Sequence, residues 1–191
     1  MALPFVFLDR DGTLNIDSGY LNSPEKIHLI EGAAEAVSVL RSLGFGVLVV
    51  SNQSAVGRGM ATEEQIEACN QEVQRKLLAV DGKAKIDRFF FCPHHPTDGC
   101  NCRKPKIGML ENFLRDTDIS IEHSWIIGDK LSDLEFGANL GIPSSARLLV
   151  MTGEGERESQ HGERLASLGR AVQNVLSGAE LIRNEASLGK V

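Results

Sequence analysis

Long apolar runs are missing from this chain. No stretch approaches the roughly 18 or more consecutive apolar residues of a membrane-spanning helix, so no transmembrane segment and no membrane partner is expected. Met1-Ala2-Leu3-Pro4 carries no basic segment ahead of an apolar one and does not read as a secretory signal. A cationic excess is missing as well. With 20 Lys and Arg against 26 Asp and Glu, the formal charge is −6, which opposes broad contact with a phosphate backbone. Aromatics are few, and none interleaves with a basic stripe, so nucleic acid is not expected as a partner. Repeats and low-complexity blocks are absent. What remains is an ordinary cytoplasmic composition, with residues 1–191 read as a single domain able to bury a core. With no separate cap and no identifiable apolar helix face left over, a monomer is expected.

The most informative stretch follows the first short apolar run. Phe5-Val6-Phe7-Leu8 reads as a buried strand, and Asp9-Arg10-Asp11-Gly12-Thr13 comes directly after it. Two carboxylates so close are costly unless a cation sits between them. Oxygen ligands of this kind suit Mg²⁺, and a deprotonated carboxylate can attack phosphorus to form an aspartyl phosphate. Val47–Val50 and Trp125–Ile127 are further strand candidates. Ser51-Asn52-Gln53-Ser54 follows the first, and Gly128-Asp129-Lys130, with Asp133 beyond it, follows the second. Polar groups at the carboxyl ends of parallel strands converge on one crevice. Arg103-Lys104-Pro105 adds cations.

Apolar runs alternate with helical periodicity throughout, which predicts an α/β fold with a parallel sheet. Helices are expected at Glu31–Leu43, capped by Gly44, from a Thr62–Gln65 capping box onward, and at Ile107–Leu114, Asp133–Leu140 and Ala179–Ala186. Further strands are expected at Ile86–Phe91, Ser145–Met151 and Ala171–Leu176. Residues 153–162 are polar and glycine-rich and read as a mobile loop. The gaps from Thr13 to Val47 and from Ser54 to Arg103 are too short for a folded cap of about 50 residues.

The second dense signal is Cys92-Pro93-His94-His95-Pro96-Thr97-Asp98-Gly99-Cys100-Asn101-Cys102. Three of the four cysteines lie in this window. In a cytosolic chain such density argues for metal rather than disulfide. Cys92, His94, Cys100 and Cys102 form a Cys₃His set suited to a closed structural Zn²⁺ site. His95 is the rival ligand; His94 is preferred because its spacing from Cys92 repeats that of Cys102 from Cys100. Zinc here would fix the loop that presents Arg103 and Lys104. Cys69, on an apolar helix stripe, reads as a core thiol.

DRDGT, SNQS, RKP and GDKLSD, in that order, resemble the four signature motifs of the haloacid dehalogenase (HAD) superfamily of phosphatases, from Phe5 to about Val150. The resemblance implies a Rossmann-like, doubly wound parallel sheet without a cap domain. It also implies Asp9 as nucleophile, Asp11 as general acid/base, and Ser51 and Lys104 as holders of the phosphoryl group. Asp9, Asp11 and Asp129 would form the Mg²⁺ site. The CPHHP…CNCRKP loop is similar to that of the D-glycero-D-manno-heptose-1,7-bisphosphate 7-phosphatases and the related histidinol-phosphate phosphatases. The DSGY, NQSAVGRG and VMTG segments tilt toward the heptose group, whose activity serves lipopolysaccharide precursor synthesis. Ser51 for Thr, Ala55 for Gly and Lys106-Ile107 for His-Pro depart from its pattern. By this carry-over Asp17, Ser18, Gly19, Tyr20, Asn52, Gln53, Ser54, Arg58, Arg103 and Lys130 would contact substrate. Arg10 is counted with them, although strand alternation would aim it away from its neighbouring aspartates. Asp133 would touch the metal shell or cap a helix, with the cap favoured. A nucleic-acid end phosphatase or a non-catalytic zinc module are the readings from other classes.

Overall fold

The structure is a computed structural model and describes residues 2–188. Six strands are β1 (Phe5–Leu8), β2 (Gly46–Asn52), β3 (Arg88–Cys92), β4 (Trp125–Gly128), β5 (Arg147–Val150) and β6 (Arg170–Val172). Eight helices are α1 (Ala33–Ser42), α2 (Ser54–Gly57), α3 (Glu63–Val80), α4 (Glu111–Asp116), α5 (Leu131–Leu140), α6 (Gly155–Ser159), α7 (Gly162–Leu168) and α8 (Val175–Ser187). The strands form one parallel sheet in the order β3-β2-β1-β4-β5-β6. The order reverses direction between β1 and β4, and in doubly wound folds the ligand crevice opens at that switch.

The core strands β1, β4 and most of β2 and β5 are buried along their length, as expected for a parallel sheet covered on both faces. Registering Leu8 against both Val49 and Ile127 sets the carboxyl ends of β1, β2 and β4 level with one another. The Asp9 amide then donates to the Ile127 carbonyl at 2.9 Å, which carries the pairing one residue past β1. Helix α1 packs on α3 and on α8, and α5 packs on β4, β5 and α7.

Local signals explain most boundaries. Thr62 accepts from the Gln65 amide and Gln65 accepts from the Thr62 amide, the reciprocal bonds that start α3. Ile66, Cys69, Val73 and Leu77 are buried along that helix, Cys69 as a core thiol. Gly44, left-handed at φ 89°, follows the actual C-cap Leu43 by one residue. The expected helix at Ile107–Leu114 is a 3₁₀ turn at Gly108–Leu110 leading into α4. Ser144–Ala146 likewise form a 3₁₀ turn, so β5 begins only at Arg147. The segment read as a mobile loop contains α6 instead. Its polar composition hid the fact that its backbone meets a buried carboxylate: the Glu154 amide donates to Asp129 Oδ2 at 2.9 Å. No cap domain interrupts the described residues, and none of their helices is long and apolar enough to cross a membrane.

Candidate active site

Asp9 leaves β1 and Asp129 leaves β4, so the two carboxylates face each other across the switch point. Asp133 reaches the same place from the first turn of α5. One oxygen from each lies within 4.8 Å of the others. The three are almost wholly buried. Burial pushes the Asp129 carboxyl up to about 8, with Asp9 and Asp133 adding like-charge repulsion. Burial also pushes Asp9 up to about 6, against the pull of Lys104 and with a further push from Asp133.

Lys104 is the counter-charge. Its Nζ donates to Asp9 Oδ1 at 2.6 Å and to the Val50 carbonyl at 2.6 Å, and it pairs with Asp133 Oδ1 at 2.7 Å. Burial alone would lower its pKa; Asp133 and Asp9 outweigh that and raise it. Lys130 is farther off, 3.8 Å from Asp129 Oδ1 and 3.9 Å from Asp17 Oδ2. Asp129 Oδ1 is buried with no hydrogen-bond partner. An orphaned carboxylate oxygen among three acids is a ready ligand for a hard divalent cation, so the donor set fits Mg²⁺. Gly12 and Gly153, at φ +83° and +57°, border Asp129, and a Cβ on either would collide with Asp129 Oδ2.

Asp11 belongs to a different environment. Its carboxylate is not in the three-acid group. Oδ1 accepts from Arg10 Nε at 3.1 Å and Asn15 Nδ2 at 2.9 Å; Oδ2 accepts from Arg10 Nη2 at 3.0 Å and Gln53 Nε2 at 2.8 Å. Burial acts to raise its pKa, but the Arg10 charge and these bonds win and lower it. Two aspartates one residue apart thus titrate in opposite directions.

A cleft of about 360 Å³ opens over this floor. Asp9, Asp11, Asp17, Gly19, Tyr20, Ser51, Asn52, Gln53, Ser54, Arg103, Lys104 and Lys130 line it, together with Ala55, Ser132 and Asp133. Three expected contacts do not. Arg10 is wholly buried and its guanidinium is spent on Asp11 and Asn70, so it touches no substrate. It also does not point away from Asp11, because the chain turns after Leu8 and strand alternation ends there. Ser18 is exposed outside the cleft. Arg58 lies 5.7 Å over the Tyr20 ring instead of lining the cleft. Asn52 and Gln53 line it with amides already in use. Asn52 Oδ1 accepts from the Lys104 amide at 2.9 Å and its Nδ2 donates to the Lys104 carbonyl at 3.2 Å. Gln53 Nε2 donates to Ser51 Oγ at 2.6 Å as well as to Asp11. Asp133 does cap a helix, from the third helical position: its Oδ2 accepts from the Lys130 amide at 3.0 Å while Oδ1 holds Lys104. Asn15, Asn70 and Ser132 went unread. Asn70 left one signal, a polar residue beside Cys69 on an apolar stripe.

The cysteine loop converges next door. Cys92 Sγ is 3.6 Å from Cys100 Sγ and 3.1 Å from Cys102 Sγ, and His94 Nδ1 is 3.1 Å from Cys102 Sγ. A tetrahedron with metal–sulfur bonds of ~2.3 Å has S···S edges of roughly 3.8 Å, so the four groups stand slightly closer than a bound metal would set them. All four cysteines of the chain are free thiols. Burial pushes the Cys92 thiol up to about 12, with the Cys102 thiol adding to it, so that thiolate would form only with a cation to receive it. His95 is engaged elsewhere, its Nδ1 2.8 Å from Thr97 Oγ1. The loop is tied to the site by main-chain bonds: Gln53 N to Cys92 O at 2.8 Å and Gly57 N to Pro93 O at 2.7 Å. Lys106 Nζ donates to the Cys100 carbonyl at 2.7 Å.

Comparison with known proteins places this geometry. A family model described as HAD-hydrolase-like matches residues 101–175. The D-glycero-beta-D-manno-heptose-1,7-bisphosphate 7-phosphatase of Yersinia pestis is 36% identical over 162 residues, covering 80% of this chain and 83% of that one. Its counterpart from Escherichia coli K12 is 36% identical over 162 residues, covering 80% and 82%. Among solved structures, the D,D-heptose 1,7-bisphosphate phosphatase of B. bronchiseptica, complexed with magnesium and phosphate, matches with a TM-score of 0.86 at 31% identity, over 96% of this chain and 99% of that one. With the switch-point carboxylates, the lysine between them and these relatives in agreement, the chain belongs to the D-glycero-beta-D-manno-heptose-1,7-bisphosphate 7-phosphatase family of HAD-like hydrolases.

Proposed function

We propose that this protein is a cytoplasmic, Mg²⁺-dependent phosphatase. It removes the 7-phosphate of D-glycero-D-manno-heptose 1,7-bisphosphate, in the β form that its relatives' name carries, for lipopolysaccharide precursor synthesis. The observation that carries the reading is the convergence of Asp9, Asp129 and Lys104 at the switch point, with Asp11 lining the same cleft. Asp9, beside Lys104 and among acids that a cation would discharge, is the nucleophile. Asp11, oriented by four donors outside that group, serves proton transfer.

Asp9 and Asp129 would hold Mg²⁺, which would cancel charge and polarise the phosphate. That help is needed, because four carboxylates and three cationic side chains line the cleft. Asp9 attacks phosphorus in line; its oxygen bonds to phosphorus as the bond to the sugar oxygen breaks. Asp11, which Arg10 and the amides favour as the carboxylate, takes up a proton from solvent, passes it to that oxygen as it departs, and then takes one from the water that hydrolyses phospho-Asp9. The three N–H groups of Lys104 are filled in the free enzyme, so gripping the phosphoryl group means exchanging the Asp9 bond for a phosphoryl oxygen. That exchange frees the nucleophile in the same motion. Ser51 assists. Arg103, whose Nη1 is buried without a partner, binds the substrate's far end; Asp17, Gly19, Tyr20, Ser54 and Lys130 line the sugar side.

Cys92, His94, Cys100 and Cys102 hold a structural Zn²⁺ that fixes the Arg103-Lys104 segment. The protein acts as a monomer on a small phosphosugar. The test is side-by-side turnover of heptose 1,7-bisphosphate and histidinol phosphate with Mg²⁺, with ³¹P NMR assigning the phosphate released. Release of the 7-phosphate at a much higher kcat/KM is expected. Preference for histidinol phosphate, or loss of the 1-phosphate, would refute the substrate assignment.

A further inference from the structure

Arg10 is the largest fully buried side chain in the described molecule. A buried guanidinium is costly unless its charge and donors are matched, and here they are matched on two sides. Nε and Nη2 grip Asp11 as a fork, at 3.1 Å and 3.0 Å. Nη1 donates to Asn70 Oδ1 at 2.9 Å, across 60 residues of sequence. Asn70 lies on α3 and is 3% exposed, between Ile66 and Val73 on the face that otherwise carries apolar residues. An amide in such a place is unfavourable unless bonded. It would serve the fold no better than a leucine if Arg10 did not need an anchor.

The four bonds to Asp11 are unequal. Gln53 already has a second partner in Ser51 Oγ and can leave Oδ2 to a proton. Arg10 cannot leave, because Asn70 holds its far end. We infer that Asn70, acting through Arg10, is a positioning residue that fixes the plane of the Asp11 carboxylate for proton transfer. This rests on Asp11 being the acid/base of the proposed reaction.

Leaving-group dependence isolates the effect. An alkyl phosphate such as the heptose bisphosphate needs a proton on its departing oxygen; 2,4-dinitrophenyl phosphate does not. Asn70→Leu should lower kcat on the alkyl phosphate by about 10- to 100-fold, a share of what a placed general acid contributes, with KM little changed. The single-turnover burst of dinitrophenolate should stay at the wild-type rate. Asn70→Asp, which keeps the acceptor, should restore most of the loss. Arg10→Lys keeps the charge but not the fork and should give the same pattern, with no further loss in the Arg10→Lys/Asn70→Leu double variant. If Asn70→Leu does not fold, as judged by circular dichroism, Arg10→Lys and Asn70→Asp decide the matter. Equal losses on both substrates, or full alkyl turnover in folded Asn70→Leu, would overturn the inference while leaving the phosphatase reading intact. A wild-type enzyme that turns over neither substrate would overturn both.

Discussion

Asp9 and Asp11 are chemically identical and one residue apart, and their neighbours make them different. Asp9 shares a buried space with Asp129 and Asp133 and meets a single lysine. Asp11 meets a guanidinium fork and two amides. Asp9→Asn keeps volume and removes the attacking charge, so turnover should fall by at least ~10³-fold, in the range seen when a nucleophile is deleted. Steady-state kinetics and mass spectrometry check this: intact protein should show no phosphate on the variant, and phosphate on any residue but Asp9 in the wild type would sink the assignment. Asp133→Asn tests a residue whose role the sequence left open between cap and metal shell. Its carboxylate does both local jobs seen here, the Lys130 amide and the Lys104 ammonium. Breaking a buried ion pair costs about 3 kcal/mol or more, and Lys104 would be left to Asp9 alone, tying up the nucleophile. A loss of that size in urea unfolding, with kcat reduced more than KM is raised, is expected; a variant of wild-type stability would show that the pair contributes little. These roles were illegible in the motif because hydrogen-bond partners such as Asn70 and Asn15 are set by packing, not by spacing.

Among elements, the loop from Cys92 to Cys102 does the most per residue. It leaves β3, folds its sulfurs together, and delivers Lys104 to the floor of the cleft, where Asn52 clasps that lysine's main chain on both sides. Cys102→Ser should abolish copurifying zinc, about one ion per chain in the wild type. With its segment loosened, Lys104 should misplace the phosphoryl group and lower kcat/KM on the order of 10²-fold, the effect of an error near 1 Å. Metal analysis by mass spectrometry and an unchanged far-ultraviolet spectrum complete the check. Full activity in a zinc-free variant would show that the loop holds its shape unaided. That Cys92, His94, Cys100 and Cys102 would meet was readable because their spacing is local. The helix α6 was not, because the residue that starts it, Glu154, bonds to Asp129, a partner far away in sequence.

For the whole molecule, the buried acids make stability depend on pH and on cation. The Asp129 carboxyl sits at about 8 when folded against an ordinary value of 3.8, so the folded state holds a proton more tightly than the unfolded one. That stability is fully present below the ordinary value and is lost as pH rises through the folded one. Metal-free protein should therefore melt at progressively lower temperature between about pH 4 and pH 8, by ~2–4 °C for each kcal/mol in a domain of this size. Mg²⁺ should restore the loss at the alkaline end, and Asp129→Asn should flatten the slope. Calorimetric scans with and without Mg²⁺ measure this, and a melting temperature that rises across the window in metal-free wild type would contradict it. By itself the sequence determined the α/β class, the strands that carry the site, the absence of a cap, the four residues that meet in the Cys92–Cys102 loop and two of the three clustered acids, Asp9 and Asp129, since apolar periodicity, turn glycines and ligand spacing are short-range properties of the chain. It counted Asp11 where Asp133 stands. Only the tertiary structure decided which aspartate meets which cation: that Lys104 bridges Asp9 and Asp133, that Arg10 turns inward to Asn70, and that Arg58 lies over Tyr20 and not over the cleft. Long side chains reach several partners from one backbone position, and the partner they keep is the one that packing and desolvation leave within reach.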